Sequence, residues 1–176
     1  MIKYTETIQL PLAADQLLSY LQNITVQPYK PLSCGYIHSH ELKSLPDFRL
    51  MEGVIVPPHS DGIAGYRPIL MLRNPSNSYI VRGTDQTLSP QKRGTLIVLD
   101  IDIQHEVRST DPNGRLGNWS GLVWGLSGQP LLKAEWSTEN VAEMAKQEFL
   151  KLCGTIHERL ESSIASTSAR NSLALC

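Results

Sequence analysis

The chain has 176 residues, 41% hydrophobic and 19% charged, with 11 prolines, 12 glycines and a formal net charge of −1. That length fits one domain, 1–176, and the composition excludes collagen-like, coiled-coil and disordered readings. The near-neutral charge supplies no global field toward nucleic acid or an anionic membrane. The three cysteines, Cys34, Cys153 and Cys176, contain no C-x-x-C pair and leave an odd count, so no disulfide framework is expected. The opening MIKYTETIQLPL has no charged start followed by an apolar run, and no apolar stretch reaches the ~18 residues of a membrane span. A reduced, cytoplasmic protein is the expectation.

Residues 1–49 read as N-terminal support. Ala14, Leu17, Leu18 and Leu21 recur at i, i+3, i+4 and i+7, which predicts a short helix over about 13–23. Pro28 and Pro31 stop it. His38-Ser39-His40, with Glu41 beside it, resembles half of a metal site, but no third ligand is set by spacing and the stretch reads as a loop.

Across 50–136 the pattern changes to short Val/Ile/Leu-rich runs separated by turn-forming residues: GVIVPPHSDG, YRPILMLRNPSN, SYIVRG, RGTLIVLDIDIQHEV, NWSGLVWGLSG and PLLKAEWS. No helical pattern intervenes, so an all-β sandwich or barrel is expected. From Val141 to Leu160 apolar residues return every three or four positions. They predict a helix over about 138–162, capped by Ser137, with a fraying tail from there to Cys176.

Two segments of the β region carry chemistry. In Ile101–Val107, Ile101, Ile103, His105 and Val107 alternate with Asp102, Gln104 and Glu106. An extended strand would therefore aim an imidazole at the interior together with three aliphatic side chains, where both its nitrogens need partners. In Pro58-His59-Ser60-Asp61-Gly62, His59 and Asp61 are two apart and project from one face. Two histidines and one carboxylate form the donor set suited to non-haem Fe(II), because they leave coordination positions open.

In combination, His59-x-Asp61 after an apolar run, His105 on a later strand and Arg115 about one strand further on resemble the Fe(II)/2-oxoglutarate-dependent dioxygenase superfamily, in a compact, prolyl-hydroxylase-like form. The run Arg93–Asp100 leading into His105-Glu106-Val107 is similar to that family's glycine-led strand entering its distal histidine. The resemblance covers about residues 50–126. It implies a double-stranded β-helix (jelly roll, cupin-like) core with flanking N- and C-terminal helices. It also implies Fe(II) held by His59, Asp61 and His105, with 2-oxoglutarate as co-substrate and its far carboxylate on Arg115. Tyr66 and Tyr79 are candidates to donate hydroxyls to the co-substrate, with core or sheet-surface tyrosine the preferred reading for both. With O2, the reaction would hydroxylate a C–H bond of a small-molecule or peptide substrate and release succinate and CO2.

The family commonly has Ser or Thr two residues after the arginine, where this chain has Gly117. That departure leaves Arg108, Arg67 and Arg82 as rivals to Arg115. Strand parity sets Arg108 on the face opposite His105, and Arg67 and Arg82 also read as surface charges. A cupin-like metalloenzyme without 2-oxoglutarate and a non-catalytic β-helix binding module are the alternative readings.

Overall fold

The computed structural model describes residues 2–30, 37–75, 79–83, 88–90, 92–110, 118–125 and 135–173. Among these residues, ten strands and two helices follow in the order β1 (Ile2–Thr7), α1 (Ala14–Asn23), β2 (Ile37–Glu41), β3 (Phe48–Gly53), β4 (Val56–His59), β5 (Tyr66–Arg73), β6 (Tyr79–Gly83), β7 (Leu88–Pro90), β8 (Thr95–Asp100), β9 (His105–Ser109), β10 (Trp119–Trp124) and α2 (Thr138–Leu173).

The strands form two antiparallel sheets, β1-β8-β5-β10-β3-β2 and β4-β9-β6-β7. From β3 to β10 the chain passes repeatedly from the larger sheet to the smaller and back. In the larger sheet this gives the neighbours β3-β10-β5-β8, and in the smaller β4-β9-β6-β7. This is the double-stranded β-helix that the sequence predicts. The fold is mainly β, with α1 and α2 flanking the larger sheet.

Side-chain parity divides the apolar residues into two cores. Met51 of β3, Ile69 and Met71 of β5, Ile97 and Leu99 of β8, and Trp119 and Val123 of β10 point between the sheets, where they meet Val56, Val81 and Val107 of the smaller sheet. The alternate residues Leu50, Leu70, Leu72, Leu96, Val98 and Leu122 point outward. They pack on Leu17, Leu18 and Leu21 of α1 and on Val141, Ala145, Phe149, Leu152 and Ile156 of α2. Strands β8 and β10 are thus covered on both faces, which is why they read as unbroken apolar runs rather than alternating ones. Trp119 and Trp124 fall on opposite sides of β10, as their parity requires.

Three local expectations are corrected, and a fourth falls largely outside the described residues. First, β1 and β2 extend the larger sheet at its two edges, so His38-Ser39-His40 is a strand rather than a loop. The His38 and His40 rings stack with centroids 4.2 Å apart. The carboxylate nearest His40 is the fully buried Glu52, 3.5 Å from its Nε2, whereas Glu41 pairs with Arg49 at 2.8 Å.

Second, Ile101–Val107 is not one strand. β8 ends at Asp100, residues 101–103 bend, and β9 begins at His105. The cause is topological, because the chain must leave the larger sheet for the smaller. Asp100 starts the corner by accepting the Asp102 backbone N–H on Oδ1 at 3.3 Å.

Third, α2 continues to Leu173 instead of fraying after 162. Ser162, Ser166 and Thr167 bond back to the carbonyls of Glu158, Ser162 and Ser163, so these hydroxyls are satisfied within the helix. Its start is as expected, with Ser137 Oγ accepting the Asn140 N–H at 3.2 Å. Fourth, the expected PLLKAEWS strand lies largely outside the described residues, and Glu135 and Trp136, at its end, form a turn and a bend.

Candidate metal centre

Strand β4 is the edge of the smaller sheet, which explains how it accommodates Pro57 and Pro58: an edge strand can forgo the ladder N–H that proline lacks. Its register shifts between Val56 and His59, and His59 comes to lie directly opposite His105, the first residue of β9. The two imidazole centroids are 4.5 Å apart at an interplanar angle of 51°.

Just past β4, the Asp61 backbone N–H donates to Ile101 O at 2.8 Å. This bond ties the His59-Ser60-Asp61 segment to the corner that delivers His105. Gly62 then turns the chain with φ +67°, a conformation that favours glycine.

One ligand atom each from His59, Asp61 and His105 lies within 4.8 Å of the others, the one such group among the described residues that could hold a metal ion. His59 Nε2 and Asp61 Oδ1 are 3.4 Å apart. Donors at about 2.0–2.2 Å from a shared ion stand roughly 3–3.5 Å from each other, so this spacing fits a coordination edge.

The imidazoles are oriented for the task. His59 Nδ1 donates to Pro57 O at 2.8 Å, and His105 Nδ1 donates to Ile103 O at 2.9 Å. A carbonyl only accepts, so each Nδ1 carries the proton and each neutral ring keeps its Nε2 lone pair for a ligand. Burial holds the His105 imidazole below the ordinary histidine range, with the Ile103 bond acting in the opposite direction. The neutral form is the one that binds metal.

Exposure is graded across the group. His105 is buried (3%), the Asp61 side chain is 14% exposed and that of His59 is 38% exposed. Ligands could therefore approach past His59, while Leu99 and Ile101 belong to the apolar core between the sheets.

Arg67, a rival to Arg115 that also reads as a surface charge, is not a surface charge in the structure. On β5 it shares parity with the interior residues Ile69 and Met71. One guanidinium nitrogen stands 2.5 Å from Asp61 Oδ2, leaving Oδ1 toward His59. The Arg67 Nε is buried without a hydrogen-bond partner.

The other residues named from sequence divide as follows. Arg115 lies outside the described residues, as do Gly117 and the side chain of Tyr79. Tyr66 packs against the helix-side core, on the face of β5 opposite Arg67, as the core reading has it and not as a co-substrate donor. Arg82 pairs with Glu106, and Arg108 is exposed; both have the parity opposite to Val81 and His105, on the outer face of the smaller sheet.

No family model and no curated protein matches the chain. Among solved structures, an RmlC-like cupin protein from Desulfovibrio desulfuricans is similar over 49% of this chain and 76% of its own, with 22% identity and a TM-score of 0.35. A protein from Neisseria meningitidis is similar over 67% of this chain and 96% of its own, at 14% identity and a TM-score of 0.38. Procruciferin, an 11S globulin from Brassica napus, is similar over 67% of this chain and 33% of its own, at 15% identity and a TM-score of 0.35. No helix among the described residues is long and apolar enough to cross a membrane.

Proposed function

We propose that the chain is a metal-dependent oxygenase on a cupin-like β-helix, with Fe(II) bound by His59, Asp61 and His105 and 2-oxoglutarate as co-substrate. The observation that carries this reading is the convergence of the three donors, with both imidazoles held by backbone carbonyls so that Nε2 is free. Bound there, Fe(II) would supply oxygen activation and C–H hydroxylation coupled to decarboxylation of 2-oxoglutarate. The chain's own residues have separate tasks. His105 anchors the site from the buried side, Arg67 holds the Asp61 carboxylate, and His59 borders the open side where O2 and a small-molecule or peptide substrate would enter.

Arg115 remains the arginine that the resemblance assigns to 2-oxoglutarate. The unpartnered Nε of Arg67 makes Arg67 a second candidate for that carboxylate. The test is anaerobic addition of Fe(II) and then 2-oxoglutarate, followed by visible absorption. A charge-transfer band that needs both additions and disappears in His59→Ala supports the proposal. The same band in His59→Ala would remove that ligand from the site.

A second reading, a metalloenzyme of this fold without 2-oxoglutarate, is favoured by Arg67 already being engaged by Asp61. Stoichiometric metal lost in His59→Ala and His105→Ala, with no 2-oxoglutarate binding by calorimetry, would select it. Absence of bound metal after reconstitution with Fe(II), Mn(II) or Ni(II) would overturn both readings.

A further inference from the structure

On the helix side of the larger sheet, α1, α2 and the turn joining β2 to β3 line a half-open cavity of about 330 Å³ that shares no residue with the His59–Asp61–His105 group. This volume is at the small end of the roughly 300–1,000 Å³ typical of ligand pockets. Ile24, Leu45, Phe48 and Leu152 contribute apolar lining.

Its charged groups are Lys43, Lys151 and Arg159 against the single carboxylate Glu148. Positive charge is thus concentrated here on a chain whose formal net charge is −1. Among the described residues, the ammonium groups of Lys43 and Lys151 form no ion pair. Arg159 is steadied by one bond, from a terminal guanidinium nitrogen to the Tyr20 hydroxyl at 3.0 Å, which leaves its other N–H donors available. Ser44, also on the wall, has φ +62°, and this left-handed turn carries Lys43 and Leu45 to the same cavity.

We infer that this cavity binds a small amphipathic monocarboxylate, an aliphatic acid whose tail lies on the apolar wall and whose carboxylate meets Lys43, Lys151 and Arg159. The two halves of the lining demand the two halves of the ligand. A free inorganic anion would leave the apolar wall uncovered, and a neutral alcohol would gain nothing from the three exposed cations. Glu148 opposes the carboxylate, so the net attraction comes from the excess of the three cations over it.

Isothermal titration of the full chain with decanoate, 1-decanol and inorganic phosphate separates the outcomes. Decanoate should bind, more tightly than 1-decanol, and phosphate should not. Lys43→Glu/Lys151→Glu should weaken decanoate by at least about tenfold, the loss expected when charge-assisted contacts become repulsive. Thr155→Trp, at an exposed position on the wall, should block the cavity. Should either variant lose its native circular dichroism, salt above about 0.5 M with the unmodified chain gives an independent reading, because screening must weaken a charge-led contact. Equal affinity for 1-decanol, equal affinity for phosphate, or decanoate binding indifferent to the charge reversal and to salt would each overturn the inference.

Discussion

The Arg67–Asp61 pair offers a quantitative test, needing no metal, of how Asp61 is held in the candidate metal centre. The side chains are 20% and 14% exposed and meet at 2.5 Å. Exposed pairs contribute about 0.2–1 kcal/mol, whereas breaking a fully buried one costs about 3–5 kcal/mol because a charge is left behind. A pair this shielded but not sealed belongs between these limits, at about 2 kcal/mol. In chelator-treated protein, Arg67→Met should therefore lower the melting temperature by about 4–8 °C, given the usual 2–4 °C per kcal/mol for a chain of this size. The single variant mixes lost attraction with lost packing of the arginine stem. The assay is consequently a double-mutant cycle by urea unfolding: wild type, Arg67→Met, Asp61→Asn and the double variant. The coupling should be about 1.5–3 kcal/mol. A coupling below about 0.5 kcal/mol would mean that water screens the contact as on an open surface. Arg67 would then have no claim to hold Asp61 in place.

Three further outcomes follow from the packing. The His40 imidazole is held below its ordinary range, first by burial and next by His38, with Glu52 acting the other way. An unfolded histidine titrates near about 6.5, so below that pH the unfolded chain takes a proton the folded one resists, and stability should fall as pH drops through that value. Urea titrations of metal-free protein at successive pH values should show a shallower fall for His40→Gln; identical slopes would refute the role of His40. His105 contributes with the same sign in both proteins, so the comparison isolates His40. The Cys153 thiol is pushed up to about 12 by burial, and at pH 8 only about one molecule in 10⁴ carries its thiolate. Iodoacetamide followed by peptide mass analysis should leave Cys153 unmodified in the native protein and alkylate it in urea; native labelling at the rate of a free thiol would refute its burial. A Cβ on Gly121 would stand 2.8 Å from Ile69 Cγ2 inside the β-helix. Gly121→Ala should cost about 1–3 kcal/mol in urea unfolding. That cost should shrink in an Ile69→Ala background, and an unchanged cost would place the clash elsewhere.

The grouping of His59, Asp61 and His105 is legible in the sequence because strand geometry repeats every two residues. His59 and Asp61 share a face at that period, and His105 falls among aliphatic neighbours of its own parity. The three residues do converge, although the element expected to carry His105 is partly different. Ile101 and Ile103 do not continue β9; they lie on the bent corner before it. Ile101 is nonetheless buried, and Ile103 supplies the carbonyl that orients His105. The interior direction of His105 survives because its own strand neighbour Val107 faces the same core.

Arg67 shows where that logic stops. Its parity with Ile69 and Met71 was available in the sequence and pointed inward, but an inward charge is admissible only if a counter-charge meets it. That counter-charge, Asp61, lies beyond a separate strand of the other sheet. The same holds for His40 and Glu52: β2 and β3 pair with His40 opposite Leu50 and His38 opposite Glu52, and only that register brings the imidazole to the buried carboxylate. Glu52 is in turn bonded by the Tyr29 hydroxyl at 2.7 Å and Ser120 Oγ at 3.1 Å. Candidate ligands two residues apart in one segment can be read from one-dimensional spacing. Partners that meet across strands require the sheet register, and one of them, Arg67, is the group that contacts Asp61.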